Sequence, residues 1–348
     1  MNDLKTNQPF ITVIMPIRNE AEFIEQSIIS ILNNNYPKEK LEVLVVDGMS
    51  TDGTRDIVKQ ISLKQTSVKL LDNPKKIVPC AMNIGFLCMK GDFFVRIDGH
   101  VEVPSDFLRK SIECIFEKPE AWIVGGYIET VSDGFIGKAI SAAMQSPVGV
   151  GNAMFRRGDY EGWVDTIAFG MHHRWVIDKV GLFDEQLVRN QDDDFNFRVL
   201  QAGGKIWLSK DIKSTYYSRN SLKKLWRQYF QYGFWRIRTI QKHRRPATVR
   251  QIAPLLLVLS LLVLGMLAFF HTVFQWLLAA EAMIYVFGLV VGMFDVARRS
   301  SWKEALLSPL VFMILHFAYG LGSLWGFVRF VLLKGRGLPK PEEHKLSR

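Results

Sequence analysis

LEVLVVDGMSTDGTRDIVKQ, residues 41–60, is the stretch that decides the fold. Leu41–Val46 is a short, valine-rich apolar run of strand character. Asp47 closes it. Ser50-Thr51-Asp52-Gly53 carries turn chemistry, and Thr54–Gln65 continues at helical spacing. The same strand–acid–turn–helix order recurs on both sides. Ile11–Met15 is expected as a strand and Glu20–Leu32 as a helix, with Ile24, Ile28, Ile31 and Leu32 on one face. Val68–Leu71, Phe93–Ile97 and Trp122–Glu129 are further expected strands. Pro79–Met89, with Pro at its start, and Pro104–Phe116 are expected helices. Short β-branched runs between helices predict an α/β domain with a mainly parallel sheet covered on both faces. Ligands of such sheets sit outside the carboxyl ends of the strands. Pro16-Ile17-Arg18-Asn19-Glu20, Asp47 and Asp98 each follow a strand and are therefore expected to share one crevice. A third acidic cluster, Gln191-Asp192-Asp193-Asp194, lies further along.

Charge and hydropathy separate the chain into unlike parts. The formal net charge of the 348 residues is +10. From Ser221 onward there are 18 Lys/Arg against 5 Asp/Glu, so the basic excess belongs to the tail and residues 1–220 are slightly acidic. A nucleic-acid partner needs a basic face on the folded domain, and none is expected here. Basic residues flanking apolar spans fit membrane lipids instead. Three cysteines in no metal-type spacing argue against a disulfide framework and suit a reducing compartment. MNDLKTNQPF has no apolar run of the kind a secretory signal needs, so the domain that follows is expected in the cytosol.

Residues 130–220 are less regular and rich in Gly, aromatics and charge. In 221–250, Leu222, Leu225, Trp226, Tyr229 and Phe230 recur at helical spacing with basic groups between them, the pattern of an interfacial helix. A helix facing a partner or a core has the same pattern. Ile252–Phe294 holds one Asp, Glu, Lys or Arg (Glu281), and Ala305–Leu333 holds one (Arg329). The first stretch suffices for two membrane helices with a turn near His271, and the second for one. Arg298, Arg299 and Lys303 would mark a cytosolic loop. Three spans put Lys334, Arg336 and Lys340 on the wrong side for the positive-inside rule, unless Gly320 and Gly322 break the last segment into a re-entrant hairpin. The expected organisation is a 1–220 domain, a 221–250 interfacial helix, a 251–333 transmembrane region and a 334–348 basic tail.

TVIMPIRNE, VVDGMSTDGT, the Ala81-Met82-Asn83-Ile84-Gly85 run, RIDGH and QDDDFNFR occur in an order and spacing that resembles family 2 glycosyltransferases. The resemblance covers roughly residues 10–240. GVGNAMFR and the tail are most similar to membrane-attached, succinoglycan-type exopolysaccharide glucosyltransferases. It implies a GT-A fold, a nucleotide-sugar donor such as UDP-glucose, a divalent cation (Mn²⁺ or Mg²⁺), a polyprenyl-linked saccharide acceptor, and residence in a bacterial cytoplasmic membrane as a multi-pass protein.

Residue by residue, the resemblance makes Pro16, Arg18, Asn19 and Glu20 the nucleobase loop and Asp47 the acceptor of the uracil NH. Asn83 falls within a matching motif and counts among the donor-binding candidates. Read without it, Asn19 serves equally as a helix N-cap, and Asp47 and Asp52 as turn aspartates. Asp98-Gly99-His100 stands where the family has Asp-x-Asp, so a carboxylate is replaced by an imidazole, which suits Mn²⁺ better than Mg²⁺. Arg96, one strand period from Asp98, is a phosphate-contact candidate. Gln191-Asp192 matches the family's Glu-Asp, with Asp192 as the base of an inverting displacement. Gln191 and Asp194 are acceptor-side candidates, and Asp194 is also placed to pair with Arg198 if this run opens a helix. Gln228 and Trp235 lie where processive synthases carry Gln-x-x-Arg-Trp, and as acceptor- or product-gating candidates they lack that spacing. A single addition is therefore expected over a processive synthase or a non-catalytic nucleotide-sugar-binding membrane protein. The adjacent His172 and His173 point to opposite faces if they lie in a strand. Glu281 is a functional candidate by its apolar setting.

Overall fold

A computed structural model describes residues 8–333 apart from Asn152, Arg219 and Ala247. The chain divides into two compact units, Met1–Glu129 with Met154–Tyr216, and Thr130–Ala153 with Tyr217–Arg348. The sequence division at 220 falls beside the second crossing. The segment 130–153, counted by sequence with the first domain, groups instead with the C-terminal helices.

The first unit is built on β1 (Ile11–Ile17), α1 (Ile24–Leu32), β2 (Leu41–Asp47), α2 (Thr54–Lys64), β3 (Val68–Asp72), α3 (Val78–Cys88) and β4 (Phe93–Arg96). These follow the expected elements to within a few residues. Alternation along the strands explains why continuous apolar runs form them. Val13, Met15, Val43 and Val45 pack on one face with Ile24, Ile28 and Ile31 of α1. Ile14, Leu44 and Val46 pack on the other with Ala81, Met82 and Phe86 of α3.

The chain continues through β5 (Val101–Glu102), α4 (Phe107–Glu117), β6 (Ala121–Val131), β7 (Gly162–Val164), β8 (Met171–His173), α7 (Trp175–Val180), α8 (Gln191–Gln201) and β9 (Lys205–Tyr217). The sheet order is β3-β2-β1-β4-β8-β6-β9-β5, with β7 paired to β9. Pairings among β3, β2, β1 and β4 are parallel. The mainly parallel expectation needs correction beyond β4. β8 (Met171–His173) runs antiparallel to β4 and β6, and β5 (Val101–Glu102) and β7 (Gly162–Val164) run antiparallel to β9. β6 (Ala121–Val131) and β9 (Lys205–Tyr217) are long, whereas β8 has three residues, too few to carry a period. His172 stacks on Phe94 and His173 packs on Phe93, so the two imidazoles do face opposite sides of the sheet. Burial holds the His172 pKa down at about 4, and this histidine is a neutral core residue. Cys80, Cys88 and Cys114 are free thiols.

The second unit gathers α5 (Gly134–Gln145) and α6 (Pro147–Val150) with α9 (Leu222–His243), α10 (Ala253–Leu267), α11 (Thr272–Arg299) and α12 (Trp302–Phe327). Leu225 and Tyr229 of α9 are buried with Phe312, Leu315 and Ala318 of α12. The apolar stripe expected to lie on a bilayer is thus largely spent on another helix, although Trp226 stays exposed among Lys223, Lys224 and Arg227. Gly320 and Gly322 do not break α12, which is continuous. They allow close approach: a Cβ at Gly322 would lie 2.0 Å from the Phe230 carbonyl oxygen, and one at Gly320 2.3 Å from that of Pro254.

α11 and the helix running on from α12 (Trp302–Leu332) are long and apolar enough to cross a membrane. α10, at 15 residues, is about 22 Å long and short of a bilayer core of about 30 Å. Three full spans are therefore one more than the helix lengths support. Phe269, Phe270, Trp276, Ile284 and Phe287 are exposed large apolar side chains, an extent unusual for a protein surface in water. Glu281 accepts a hydrogen bond from Ser260 and so joins α11 to α10. Lys334, Arg336 and Lys340 lie outside the described residues.

Candidate active site

Parallel register brings the strand ends together. Ile17 pairs with Asp47, Asp47 with Asp72, and Ile14 with Arg96. The loops that follow are tied side to side. The Asn19 backbone N–H donates to Ser50 Oγ at 2.7 Å, and its side-chain oxygen accepts from the Thr51 N–H at 3.0 Å. The Glu20 N–H donates to Thr54 Oγ1 at 2.8 Å. Asn19 and Met49 both hold positive φ, 52° and 57°, a backbone cost more often kept where a loop must present groups. Pro16 is buried within β1, whereas Arg18 and Ser50 are half-buried and Asn19 is exposed at this rim.

Asp47 is fully buried. It accepts from the Ser50 N–H at 3.0 Å, from the Ser50 hydroxyl and from Arg55 Nη1 at 2.6 Å, while Arg55 Nη2 reaches Asp72 at 2.7 Å. This is the turn-aspartate geometry with an ion pair added, and both Asp47 oxygens, the atoms expected to meet a nucleobase, are engaged within the chain. Asp52 likewise caps its own turn, accepting from the Thr54 and Ala21 N–H groups. Sequence patterning alone does not single out Ser50 or Arg55. The available signal is an arginine one residue inside a helix that starts beside a strand-end aspartate.

The second cluster sits beside the first. Glu20 Oε1 lies 3.1 Å from His100 Nδ1. Gly99 suits this close approach, since a Cβ would stand 3.0 Å from Glu20 Cγ and from Ile17 Cγ2. A carboxylate on Nδ1 fixes the tautomer and leaves Nε2 as the free donor atom, the usual support of a metal-binding imidazole. The His100 ring also meets Tyr216 of β9 edge-on at 5.0 Å.

Arg96 grips Asp98 with two hydrogen bonds and lies 3.8 Å from Asp192 Oδ2. Asp192 stands in the first turn of α8 (Gln191–Gln201), behind Asn190 at φ 60°. Desolvation and the neighbouring Asp193 carboxylate raise its pKa above the ordinary Asp value, and Arg96 only partly offsets them. Raised proton affinity is what a carboxylate needs to take a proton near neutrality. Gln191 is buried with its side-chain oxygen unpartnered. Asp194 is fully buried and pairs with Arg198 at 3.0 Å, as the helical spacing predicts. Arg198 also caps the carbonyls of Val180, Gly181 and Leu182, so the Asp194–Arg198 pair anchors α8.

Three candidates are engaged by contacts within the chain. Asn83 donates to the Phe183 carbonyl at 3.0 Å and to Glu185 at 3.1 Å, and accepts from the Phe183 N–H at 2.9 Å. Its amide hydrogens are used up, which corrects the donor-binding expectation. Asn83→Ala should cost about 1–3 kcal/mol through the groups it leaves unpaired, seen as a lower thermal midpoint at unchanged donor KM. A raised KM with an unchanged midpoint would return Asn83 to the site. Gln228 donates to Tyr232 along α9, and Trp235 is buried against Phe234 and Phe330 within the second unit. Trp235 thus has no exposed face with which to gate an acceptor or product.

A profile of Glycosyl transferase family 2 matches residues 12–180. The chain is 31% identical over 245 residues to the Succinoglycan biosynthesis protein ExoA of Rhizobium meliloti (strain 1021), covering 70% of this chain and 74% of that one. It is 26% identical over 330 residues to the dolichyl N-acetyl-alpha-D-glucosaminyl phosphate 3-beta-D-2,3-diacetamido-2,3-dideoxy-beta-D-glucuronosyltransferase of Methanococcus voltae, covering 92% and 98%. Among solved structures, the mannosyltransferase PcManGT from Pyrobaculum calidifontis in complex with GDP-Man and Mn2+ has the same fold, with a TM-score of 0.58 at 19% identity over 92% of this chain and 88% of that one.

Proposed function

Since the chain belongs to glycosyltransferase family 2, we propose that it transfers one hexose, with inversion, from a nucleotide-sugar such as UDP-glucose to a lipid-linked saccharide in cell-surface glycan synthesis. The observation that carries this reading is the meeting of Asp98, Arg96 and Asp192 beside the loop of Arg18, Asn19 and Glu20. A donor-side carboxylate and a carboxylate of raised proton affinity lie across one arginine. Asp192 accepts the proton of the acceptor hydroxyl as that oxygen attacks the anomeric carbon. The bond from that carbon to the diphosphate oxygen breaks on the opposite face, and the electron pair leaves with the diphosphate. One displacement inverts the centre through an oxocarbenium-like transition state. Arg18 and Asn19 hold the nucleotide, and Arg96 offers a guanidinium to phosphate.

Among the described residues no three His, Cys, Asp or Glu side chains form a metal cluster. Asp98 and His100 Nε2 still fit a divalent cation that takes its other ligands from water and the diphosphate. Such a cation would neutralise charge on the leaving diphosphate.

A lipid-linked acceptor fits the chain's own surface. Exposed apolar side chains on α10 and α11 call for lipid, and an acceptor in the same bilayer reaches the enzyme by lateral diffusion. The named substrate of the Methanococcus relative is also a dolichyl-linked sugar. We place the protein in the bacterial cytoplasmic membrane with its catalytic unit in the cytosol, acting on donor, polyprenyl-linked acceptor and membrane lipids without nucleic acid. Membranes containing the protein, incubated with labelled nucleotide-sugars and lipid extract, should yield an organic-phase product one hexose heavier. Transfer to soluble sugars alone, or release of polymer, would overturn the reading.

A further inference from the structure

Both oxygens of Asp98 are already held. Arg96 Nε lies 2.7 Å from Oδ1 and Nη2 lies 3.0 Å from Oδ2. This fork is charge-assisted, and the two side chains are only 16% and 18% exposed, so water screens the pair weakly. A carboxylate neutralised in this way is a poor ligand for a second cation, and the guanidinium repels one directly. Arg96 also has a second anion at hand, because its Nη1 is 3.8 Å from Asp192 Oδ2 on α8. The guanidinium can therefore give up Asp98 by a side-chain movement alone and still face a carboxylate. His100 is not tied up in the same way, since its contact with Glu20 is through Nδ1.

We infer that Arg96 is a resident counter-ion of Asp98 that competes with the divalent cation, so that the cation enters well only together with the nucleotide diphosphate. The diphosphate supplies the negative charge that Arg96 loses when it leaves Asp98. A free cation supplies none and must overcome the ion pair unaided. The site then rejects cation without donor, and loading becomes a joint event. Arg96 acts here through Asp98 as a positioning residue, apart from any contact it makes with substrate. The inference rests on the assignment of Asp98 to the cation made above.

The test is a Mn²⁺ titration of the full-length protein in detergent, read by the electron paramagnetic resonance of free Mn²⁺, with and without UDP, each arm compared with a protein-free control at the same UDP concentration because UDP itself chelates Mn²⁺. The wild type should bind Mn²⁺ weakly alone and at least about tenfold more tightly with UDP. Arg96→Gln should bind Mn²⁺ about tenfold more tightly than the wild type without UDP and gain less from it. Arg96→Lys, which keeps the charge, should stay weak. Arg96→Gln binding no more tightly than the wild type would mean that Arg96 merely orients Asp98, and the inference would fail. If Arg96→Gln does not fold by circular dichroism, the wild-type titration still decides, because Mn²⁺ affinity indifferent to UDP overturns the idea. Asp98→Asn separates the two levels: unchanged Mn²⁺ binding in that variant would remove the cation assignment itself.

Discussion

Asp192→Asn is expected to lower sugar transfer by about a thousandfold while the protein stays folded and still binds donor, because it deletes the proton acceptor. The amide keeps the size of the side chain and loses its charge. Asp192 is disfavoured as an anion by desolvation and by Asp193, with Arg96 opposing. Its proton affinity is thus higher in the folded than in the unfolded chain. For an acid with a raised folded pKa, the contribution to stability is full below the unfolded pKa and is lost as pH rises through the folded one. At neutral pH the ionised side chain therefore costs a little stability, screened because it is 45% exposed to water, and Asp192→Asn should melt at or slightly above the wild-type temperature, with the gap closing as pH falls. Wild-type activity should show an acid limb whose midpoint lies above the ordinary Asp value. A variant that retains transfer, or one that loses it only by unfolding, would count against Asp192 as the base. The paired measurements are initial rates across pH and thermal midpoints across the same range.

Gly322→Val should be the most damaging single change in the helical unit. A Cβ at Gly322 would stand 2.0 Å from the Phe230 carbonyl oxygen and 2.8 Å from its carbon, and both are backbone atoms of α9. Helix backbone cannot yield locally, so α9 and α12 would have to separate along a contact that also includes Gly233 against the Tyr319 carbonyl and Gly326 against that of Phe234. Ser323 Oγ donates to the Gly233 carbonyl at 3.2 Å in the same seam. The cost should reach about 3 kcal/mol or more, at the upper end for overpacking. Loss of the folded protein in detergent, or a thermal midpoint many degrees lower, would be the readout. Gly288→Ala in α11 is the control, since nothing lies within 4 Å of a Cβ there. That change should be neutral or should stabilise by up to about 1 kcal/mol through helix propensity. Equal tolerance of both substitutions would show that the α9–α12 seam is looser than its glycines imply.

Much of the parallel half of the sheet was legible in the sequence because its determinants are local. A valine-rich run ending in Asp47, followed by turn residues and a helical period, fixes a strand end facing a crevice whatever packs around it. The Asp194–Arg198 pair was legible for the same reason, being a matter of helical spacing. The antiparallel half was not legible. A three-residue strand such as β8 leaves no periodic trace, and its pairing with β4 and β6 joins segments far apart in the chain. Asn83 shows the limit for single residues. The motif places it among donor-site candidates, but only the loop that returns at Phe183 reveals what its amide holds.

The sequence by itself determined the parallel βα units, the family to which they belong and the presence of long apolar helices. Each of these follows from periodicity, turn chemistry or composition read over a few tens of residues. Only the tertiary structure decided where the charges go. It turned Asp47 inward onto Arg55, set Glu20 against His100, and hung Asp98 and Asp192 on one guanidinium. It also decided that the apolar stripe of α9 packs on α12 and that residues 130–153 join the helical unit. Ion pairing and burial depend on which distant segments meet, and a strand or helix pattern carries no record of its partner.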